Sequence, residues 1–506
     1  MEPAKPSIAW PILIGVALLK LALHLATMDG YGHFRDELYY LASTDHLAWG
    51  YVEHPPLSIA LLWLSKSVLG DSLFALRILP AMAGAAMILM TGVLARELGG
   101  GTRAQCLSAV AVLVSPFFLA ISHFYSMNVF DGLFWVVLSY LAARILVRGE
   151  SKLWVVFGLL AGLGLMNKVS VGFFGASLIV GLLLTRERRQ FVSPWLWVGG
   201  AIAALMFSPH LLWQIENAWP TLEFQANARD FKNMPLSIGG FAGQQVLMGN
   251  PVVLPLWVAG GGALLASKRL AGFRSLGFVY PTLFFVFALT NGKSYYLAPA
   301  FPLLYAAGAV VAEPLLVRAA WRAPALIGVI VLLALPAVPI GLPVLEPRAL
   351  VEWQRTIGMA APALEVGDQP QLPQTFADMH GWEELVDAVE RVVRDLPANE
   401  RASAVVFATN YGEAGAIDVL GKERNLPPVI CGHNSYWSWR PASIGTTVIA
   451  LRLSKAELER WFRSVERVDT ITCEWCMPAQ NNSAVHVARG WIVEPEQFWG
   501  EIRRYQ

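Results

Sequence analysis

Charged residues are scarce in this sequence. Asp, Glu, Lys and Arg make up 15% of the 506 residues, whereas a soluble globular protein contains about 25%. The hydrophobic fraction of 55% excludes a mostly disordered chain. The 38 basic and 37 acidic residues nearly cancel, so the net charge of +1 gives no reason to expect a nucleic-acid partner. This composition is typical of a protein that lies largely in a membrane.

The few charges are unevenly distributed along the chain. Of the 75 charged residues, 38 lie between positions 344 and 506, so the last third is about as charged as a soluble domain. The sequence therefore predicts a transmembrane domain at 1–343 and a soluble α/β domain at 344–506. In the second domain, periodicity predicts helices at 382–396 and 413–420 and strands at 404–408, 446–451 and 484–488.

Cysteine is also rare, with four residues in the chain. Cys473 and Cys476 form a C-E-W-C pair, which is compatible with a redox motif, half a zinc site or a small disulfide. No second cysteine or histidine pair has the spacing of a zinc finger. A disulfide would fit a domain outside the cytoplasm.

Long apolar runs predict about eleven membrane spans. They lie at 8–27, 73–95, 104–122, 129–147, 154–166, 169–184, 194–213, 252–266, 273–289, 297–316 and 324–343. A shorter run at 56–69 suits a re-entrant or interfacial helix better than a full crossing. The first run lacks a small-residue cleavage site, so we expect it to persist as a span.

Basic loops predict which side of the membrane each segment occupies. Five short basic segments lie at 96–103, 148–152, 186–189, 268–269 and 318–322. If the run 56–69 does not cross the membrane, these segments all lie on the same side, and short basic loops are typical of the cytoplasmic side. We therefore expect a cytoplasmic N-terminus. Segments 28–55, 122–128, 214–250 and 291–296 and the C-terminal domain then lie outside.

The first external segment carries the densest candidate site, H-F-R-D-E-L-Y-Y at positions 33–40. Adjacent carboxylates can perform acid/base chemistry because each raises the pKa of the other, while Arg35 lowers it. Neighbouring side chains on a helix diverge by about 100°, so Asp36 and Glu37 cannot serve one atom equally. One is expected to be the base and the other a structural partner; the plainer alternative is a solvated turn with a helix cap.

Two further external segments carry acidic candidates. Glu53 and His54 precede two prolines that hold them at the membrane face. They could bind a metal or meet a phosphate, or the segment could be a rigid turn. Asp131 lies at the outer end of a span. A carboxylate so close to the hydrocarbon costs free energy, so an aspartate there is a functional candidate by default. A structural hydrogen bond to a neighbouring helix is the alternative.

The last candidate segment is N-G-K-S-Y-Y at positions 291–296. Lys293 would lie outside, against the cytoplasmic preference for positive charge. With Tyr295 and Tyr296 it suits a phosphate held at the membrane surface, or else an interfacial anchor. Lys168 could add positive charge on the same side.

Together these motifs resemble the bacterial family 39 glycosyltransferases, relatives of the protein O-mannosyltransferases and of the lipid A aminoarabinose transferase. The resemblance covers roughly residues 31–305. It rests on the acidic pair, the H-P-P-L start of the next helix, the aspartate of a second loop and the K-S-Y-Y-L-A-P-A-F-P segment. The stretches 410–415 and 432–437 also resemble the extracytoplasmic domain of some bacterial members.

The resemblance implies a GT-C-like polytopic fold, all-α, with about eleven transmembrane helices, a re-entrant or juxtamembrane helix and the small α/β domain outside. Such enzymes take a sugar from a polyprenyl phosphate and transfer it with inversion. The carried-over residues are catalytic Asp36, Glu37 and Asp131, and donor-phosphate binding Arg35, Glu53, His54, Lys293, Tyr295 and Tyr296. Ser58 and Ile59 stand where mannosyltransferases commonly have Gly-Lys, which argues against protein mannosylation in particular.

The expected function is a hexosyl- or pentosyltransferase in the bacterial inner membrane, in contact with membrane lipids. Its donor would be a polyprenyl-phosphate-linked sugar, and a glycan, a lipid or a protein hydroxyl remains open as the acceptor. The sequence indicates no cofactor with certainty, and metal dependence stays open; Glu53 and His54 are the possible ligands of a divalent metal. A transporter or lipid flippase would instead place ionisable residues inside spans. A non-catalytic envelope assembly protein would depend on residues 345–506 and tolerate loss of Asp36 and Asp131.

Overall fold

The fold is a helical body followed by a small domain built on a sheet. A computed structural model describes residues 6–358, 365–441 and 443–506. All strands of the described sheet lie between residues 404 and 491, and helices dominate the rest. The fold class predicted from the sequence is therefore confirmed.

Seven helices in the described part of the chain are long and apolar enough to cross a membrane: Trp10–Thr27, Leu73–Glu97, Met127–Arg148, Pro194–Glu216, Ala271–Leu289, Ser294–Leu316 and Arg322–Gly341. Two pairs of consecutive helices are long and apolar enough only when the two helices of a pair are taken together, and each pair is sharply bent. Ser170–Leu183 meets Arg186–Val192 at 113°, and Ile238–Gly249 meets Pro251–Ala266 at 98°. The count is thus seven, or up to nine if each pair is one span.

The sequence-based count of eleven is higher because two of the apolar runs contain only short helices. The predicted span 104–122 begins with the helix Thr102–Leu113 but does not continue it, and the predicted span 154–166 holds only the helix Leu153–Asn167. In the first, a new helix, Pro116–Ile121, begins at the proline, which has no N–H to continue the helical bonding. Leu57–Leu69 has 13 residues, about 20 Å of helix against a hydrocarbon core of about 30 Å. Its short length agrees with the prediction.

Further helices lie along the chain between the seven long ones. Arg35–Ser43 follows the first span. The predicted external segment 214–250 contains the helices Pro220–Asn227 and Ile238–Gly249, with a π-helical turn, Ala228–Lys232, between them. Asn233 forms a β-bridge with Glu365, which fastens this segment to the chain that leads into the C-terminal domain.

The C-terminal domain contains five strands: β1 (Ala404–Ala408), β2 (Val429–Cys431), β3 (Thr447–Leu451), β4 (Phe462–Ile471) and β5 (Ser483–Trp491). Their order in the sheet is β2-β1-β3-β5-β4. Strand β1 pairs in parallel with β2 and β3, whereas β5 pairs antiparallel with β3 and β4. The α-helices described after residue 344 are Pro347–Ile357, Gln374–Ala377, Trp382–Asp395, Ala398–Arg401, Tyr411–Leu420, Lys455–Leu458 and Pro495–Glu501.

The helical body and the C-terminal domain share one buried apolar cluster. It runs from the spans through Leu38 and Tyr39 into Tyr411 and Ala414. The close approach depends on Gly415, where an added Cβ would come within 2.8 Å of the Leu38 backbone. The boundary between residues 343 and 344 stays a prediction, but packing across it is continuous in the part of the chain that the structure describes.

Candidate active site

The helix Arg35–Ser43 separates the two adjacent carboxylates. Asp36 lines a cavity of about 230 Å³ and its side chain is 35% exposed, whereas Glu37 is fully buried. The angle of about 100° between successive helical side chains produces this division. The structure therefore brings Asp36 into the cavity and turns Glu37 away from it.

Glu37 is held by an extensive set of hydrogen bonds. Arg77 donates to both carboxylate oxygens, from Nε at 3.0 Å and from Nη2 at 2.8 Å. The backbone N–H groups of Phe34 and Tyr125 donate to the same carboxylate, each at 2.8 Å. Glu37 is therefore the structural member of the acidic pair. Its carboxylate oxygens accept hydrogen bonds from three separate segments of the chain and hold them together.

Asp131 is also buried. Ser170 donates a hydrogen bond to it, and Lys168 Nζ lies 3.8 Å from its Oδ2. Lys168 in turn donates to Asn128 Oδ1 at 2.8 Å, and it is Asn128, rather than Asp131, that lines the cavity. The direct catalytic role predicted for Asp131 stays a prediction. The contacts support a role in positioning Lys168.

The cavity has an apolar and a charged side. Its apolar side is formed mainly by Phe34, Pro116, Phe117, Ala120, Ile121, Phe124, Leu247, Met248, Pro251, Ala337 and Ile340. Its charged side contains Arg35, Asp36, Lys293, Glu365 and Asp378, with Tyr295 beside them. Tyr296 packs edge-on against Tyr295, at 4.9 Å between ring centroids, and Lys168 lies over both rings.

Three cations surround the carboxylate of Glu365. Lys293 donates to its Oε1 at 2.8 Å, Lys232 Nζ lies 3.7 Å from the same oxygen, and Arg35 Nη2 lies 3.8 Å from Oε2. Burial alone would raise the pKa of Glu365, but these cations outweigh it and hold that pKa well below its usual value. Burial lowers the pKa of Lys232 to about 8. Glu365 is therefore an anion inside a cationic cluster.

The C-terminal domain and the segment leading to it contribute to this site. The Tyr411 hydroxyl donates to Asp36 Oδ1 at 2.9 Å. Asp378 accepts the backbone N–H of Arg35 with its carbonyl at 2.9 Å, and its carboxylate lies 3.4 Å from Arg35 Nη1. Burial raises the pKa of Asp378 to about 7 although Arg35 opposes the shift. The site thus needs residues from both ends of the chain.

Glu53 and His54 do not line the cavity. Glu53 accepts hydrogen bonds from the Tyr39 hydroxyl and from Asn434 Nδ2, both at 3.0 Å, and burial raises its pKa to about 7. His54 is buried among tyrosine rings, with Tyr40 at 4.8 Å. The structure therefore does not bring these two residues to the cations. Glu53 instead links the segment 28–55 to the C-terminal domain through Asn434.

A metal site finds no support in the described ranges, where no group of three or more potential His, Cys, Asp or Glu ligands occurs. This applies to Glu53 and His54 and to the C-E-W-C pair. Cys473 and Cys476 are free, buried thiols, and Cys476 Sγ donates to the Cys473 carbonyl at 3.2 Å.

Sequence reasoning missed five residues of the site and its support: Arg77, Lys232, Glu365, Asp378 and Tyr411. Arg77 carried a usable signal, because it is the one charge in the helix Leu73–Glu97 before the terminal Arg96 and Glu97. Tyr411 lies in the stretch 410–415, which resembles related domains, but that resemblance did not indicate what the stretch does. The other three lie in segments of ordinary polarity, and only the tertiary structure brings them together.

Comparisons with known proteins agree with this architecture. Residues 53–213 match the family described as dolichyl-phosphate-mannose-protein mannosyltransferase. The structure is similar to ArnT from Cupriavidus metallidurans bound to undecaprenyl phosphate, with a TM-score of 0.59 and 14% identity over 95% of this chain and 98% of that one. A search of curated proteins found no significant match.

A second solved structure of similar fold is the archaeal oligosaccharyltransferase AglB from Archaeoglobus fulgidus, in complex with an inhibitory peptide and a dolichol-phosphate. Its TM-score is 0.52 and its identity 13%, over 87% of this chain and 69% of that one. The resemblance to family 39 glycosyltransferases stated from the motifs is confirmed by these matches. The chain has a GT-C-like multi-pass membrane fold.

Proposed function

We propose that this chain is an integral membrane glycosyltransferase. It moves a sugar from a polyprenyl-phosphate donor to an envelope acceptor hydroxyl with inversion, at the periplasmic face of a bacterial inner membrane. The observation that supports this proposal most is that one cavity combines an apolar wall, a cationic cluster and the partly exposed Asp36. A lipid-linked phosphate needs the wall and the cations, and group transfer to a hydroxyl needs the base.

Asp36 is the proposed base. As the acceptor oxygen attacks C1 of the sugar, its proton passes to the carboxylate. The new C–O bond forms on the face opposite the breaking C1–O bond, which inverts the anomeric configuration. The Tyr411 hydroxyl, 2.9 Å from Oδ1, fixes the carboxylate so that Oδ2 is available for the proton.

The cations are proposed to stabilise the leaving group. The electron pair of the broken C1–O bond stays on the polyprenyl phosphate, which gains negative charge in the transition state. Lys293, Lys232 and Arg35 can offset that charge in a partly water-excluded site. Tyr295 lines the same side of the cavity and can donate a further hydrogen bond.

The apolar side of the cavity suits the first isoprene units of the lipid. Residues from the helices Pro116–Ile121, Ile238–Gly249 and Arg322–Gly341 contribute to it, so it lies against the membrane-spanning body. The acceptor can be a glycan, a lipid or a protein hydroxyl. The basic loops of the sequence support a cytoplasmic N-terminus and a periplasmic C-terminal domain.

The variant Asp36→Asn tests the proposal. It keeps the size of the side chain and its contact with Tyr411 but removes the base, so transfer should fall by about a hundredfold or more. The measurement is transfer of labelled sugar from a polyprenyl phosphate in membranes, with expression and membrane insertion checked in parallel. Asp45→Asn is the matched control, because Asp45 is an exposed acid of the same external segment and should retain full activity.

Deletion of the gene identifies the donor and separates the alternatives. A transferase predicts accumulation of one polyprenyl-phosphate sugar and loss of one envelope modification. Full transfer by Asp36→Asn would remove Asp36 from the base role. An unchanged donor pool together with unchanged envelope glycans would instead favour transport or a non-catalytic assembly role.

A further inference from the structure

Glu365 occupies the place where a phosphate would be expected. Its side chain is 17% exposed and lines the cavity, surrounded by Lys293, Lys232 and Arg35. The Gln374 amide also donates to its Oε2 at 3.1 Å. A carboxylate held by two lysines and an arginine makes the same kind of contacts that a phosphate group makes.

We infer that Glu365 is an internal competitor for the donor phosphate and leaves the three cations when a polyprenyl phosphate binds. The inference rests on the proposed function, since it concerns the phosphate of that donor. Glu365 then weakens the affinity of the empty enzyme for the donor, because the donor has to displace it.

The charges of the cluster support displacement rather than joint occupancy. Arg35, Lys232 and Lys293 already have an anionic partner in Glu365, which lies within 4 Å of all three. A phosphate that entered with Glu365 in place would bring a second anion into contact with that carboxylate, which is unfavourable in a buried environment. Exchange of one anion for the other avoids this contact.

The attachment of Glu365 defines what would move. The backbone N–H of Val366 donates to the Lys232 carbonyl at 3.0 Å, next to the bridge between Asn233 and Glu365. The same segment continues to Asp378, which binds Arg35. Loss of the Glu365 contacts should therefore loosen residues 365–378 and leave Arg35 free to turn towards the phosphate.

Binding of farnesyl phosphate to the purified full-length protein in nanodiscs tests the inference. Glu365→Gln removes the competing charge but keeps a similar shape, so the Kd should fall by about tenfold, a difference of about 1.4 kcal/mol. Glu352→Gln, on the helix Pro347–Ile357 and away from the cavity, should bind like the wild type. Farnesol, which lacks the phosphate, should not distinguish the two proteins. Inorganic phosphate should favour the variant in the same way, but with weaker affinity.

Hydrogen exchange of the wild-type protein gives a second test that does not depend on a variant. Farnesyl phosphate should increase exchange in residues 365–378, including the Val366 amide, whereas a ligand that merely adds contacts would slow it. Equal farnesyl phosphate affinity of wild type and Glu365→Gln, or slower exchange in this segment, would overturn the inference and leave the transferase proposal standing. Absence of farnesyl phosphate binding to either protein would contradict both.

Discussion

At the scale of single residues, adjacent acids of the same chemical type have different environments. Asp36 is partly exposed in the cavity and accepts a hydrogen bond from Tyr411. Glu37 is buried against Arg77, which is 1% exposed. Sequence reasoning could state that the pair must divide its roles, because helical geometry alone dictates it. It could not assign the structural role, because Arg77 lies 40 positions away in another helix.

Replacement of Glu37 should therefore affect stability before catalysis. Glu37→Gln leaves the Arg77 guanidinium buried without a counter-charge, and breaking such a pair from one side costs about 3–5 kcal/mol. We expect a lower midpoint of thermal unfolding in detergent and a smaller yield of folded protein. Glu150→Gln is the matched control, because its pairing with Arg144 is partly exposed and should contribute at most about 1 kcal/mol.

The double replacement of Glu37 by Gln and Arg77 by Met adds a further check. It removes the uncompensated charge, so it should recover part of the lost stability. A Glu37→Gln protein that unfolds at the wild-type temperature but has no transfer activity would contradict the structural role and restore Glu37 as a catalytic candidate.

At the scale of elements, the site depends on contact between the helices Arg35–Ser43 and Tyr411–Leu420. Two stretches of the C-terminal domain resembled related domains without a known role; the stretch 410–415 makes this contact, and the stretch 432–437 binds Glu53 nearby. Tyr411 binds Asp36, Gly415 packs on Leu38, and Asn434 binds Glu53. The sequence indicated that these stretches were distinctive, but only the tertiary structure identifies their partners.

Gly415→Ala should separate these two helices. Its Cβ would lie 2.8 Å from the Leu38 backbone carbon and 3.0 Å from the carbonyl oxygen, and backbone cannot yield as a side-chain tip can. Overpacking of this kind costs about 1–3 kcal/mol. We expect reduced transfer activity through displacement of Tyr411 from Asp36, measured together with thermal unfolding.

Gly500→Ala is the control for the helix effect of alanine. Gly500 lies in the helix Pro495–Glu501 with open space around its Cβ position, so this variant should match the wild type. Full activity and unchanged unfolding of Gly415→Ala would show that the close contact is dispensable.

The elements themselves were predictable to different degrees. Strands β1 and β3 have strongly apolar sequences and β5 contains a short apolar run. All three were expected within a few residues of their positions. Strand β2 has only three residues, and β4 is a charged edge strand. Charged residues protect an edge strand from pairing with other chains. They also remove the apolar pattern by which a strand is recognised in a sequence. The spans were located correctly but counted too high, because proline breaks and short helices do not interrupt hydrophobicity.

At the scale of the whole molecule, the number of crossings decides whether the cavity and the C-terminal domain can lie outside. The part of the chain that the structure describes has seven candidate spans, or nine if both bent pairs cross, and the sequence has eleven apolar runs. All three numbers are odd. An odd number places the N-terminus and the C-terminal domain on opposite sides of the membrane. If only one bent pair crossed, the number would be eight and both ends would lie together. The sidedness therefore depends on the two bends of 113° and 98°.

Reporter fusions to the full-length chain resolve this parity. The basic loops predict a cytoplasmic N-terminus, so an N-terminal green fluorescent protein should fluoresce. A C-terminal alkaline phosphatase, which folds only outside the cytoplasm, should be active in the same membrane fraction. Exchange of the two reporters is the internal control and should silence both. An inactive C-terminal phosphatase beside a fluorescent N-terminus would require an even number of crossings. It would place Tyr411, Asp36 and the cationic cluster on the cytoplasmic side, where a periplasmic reaction could not occur.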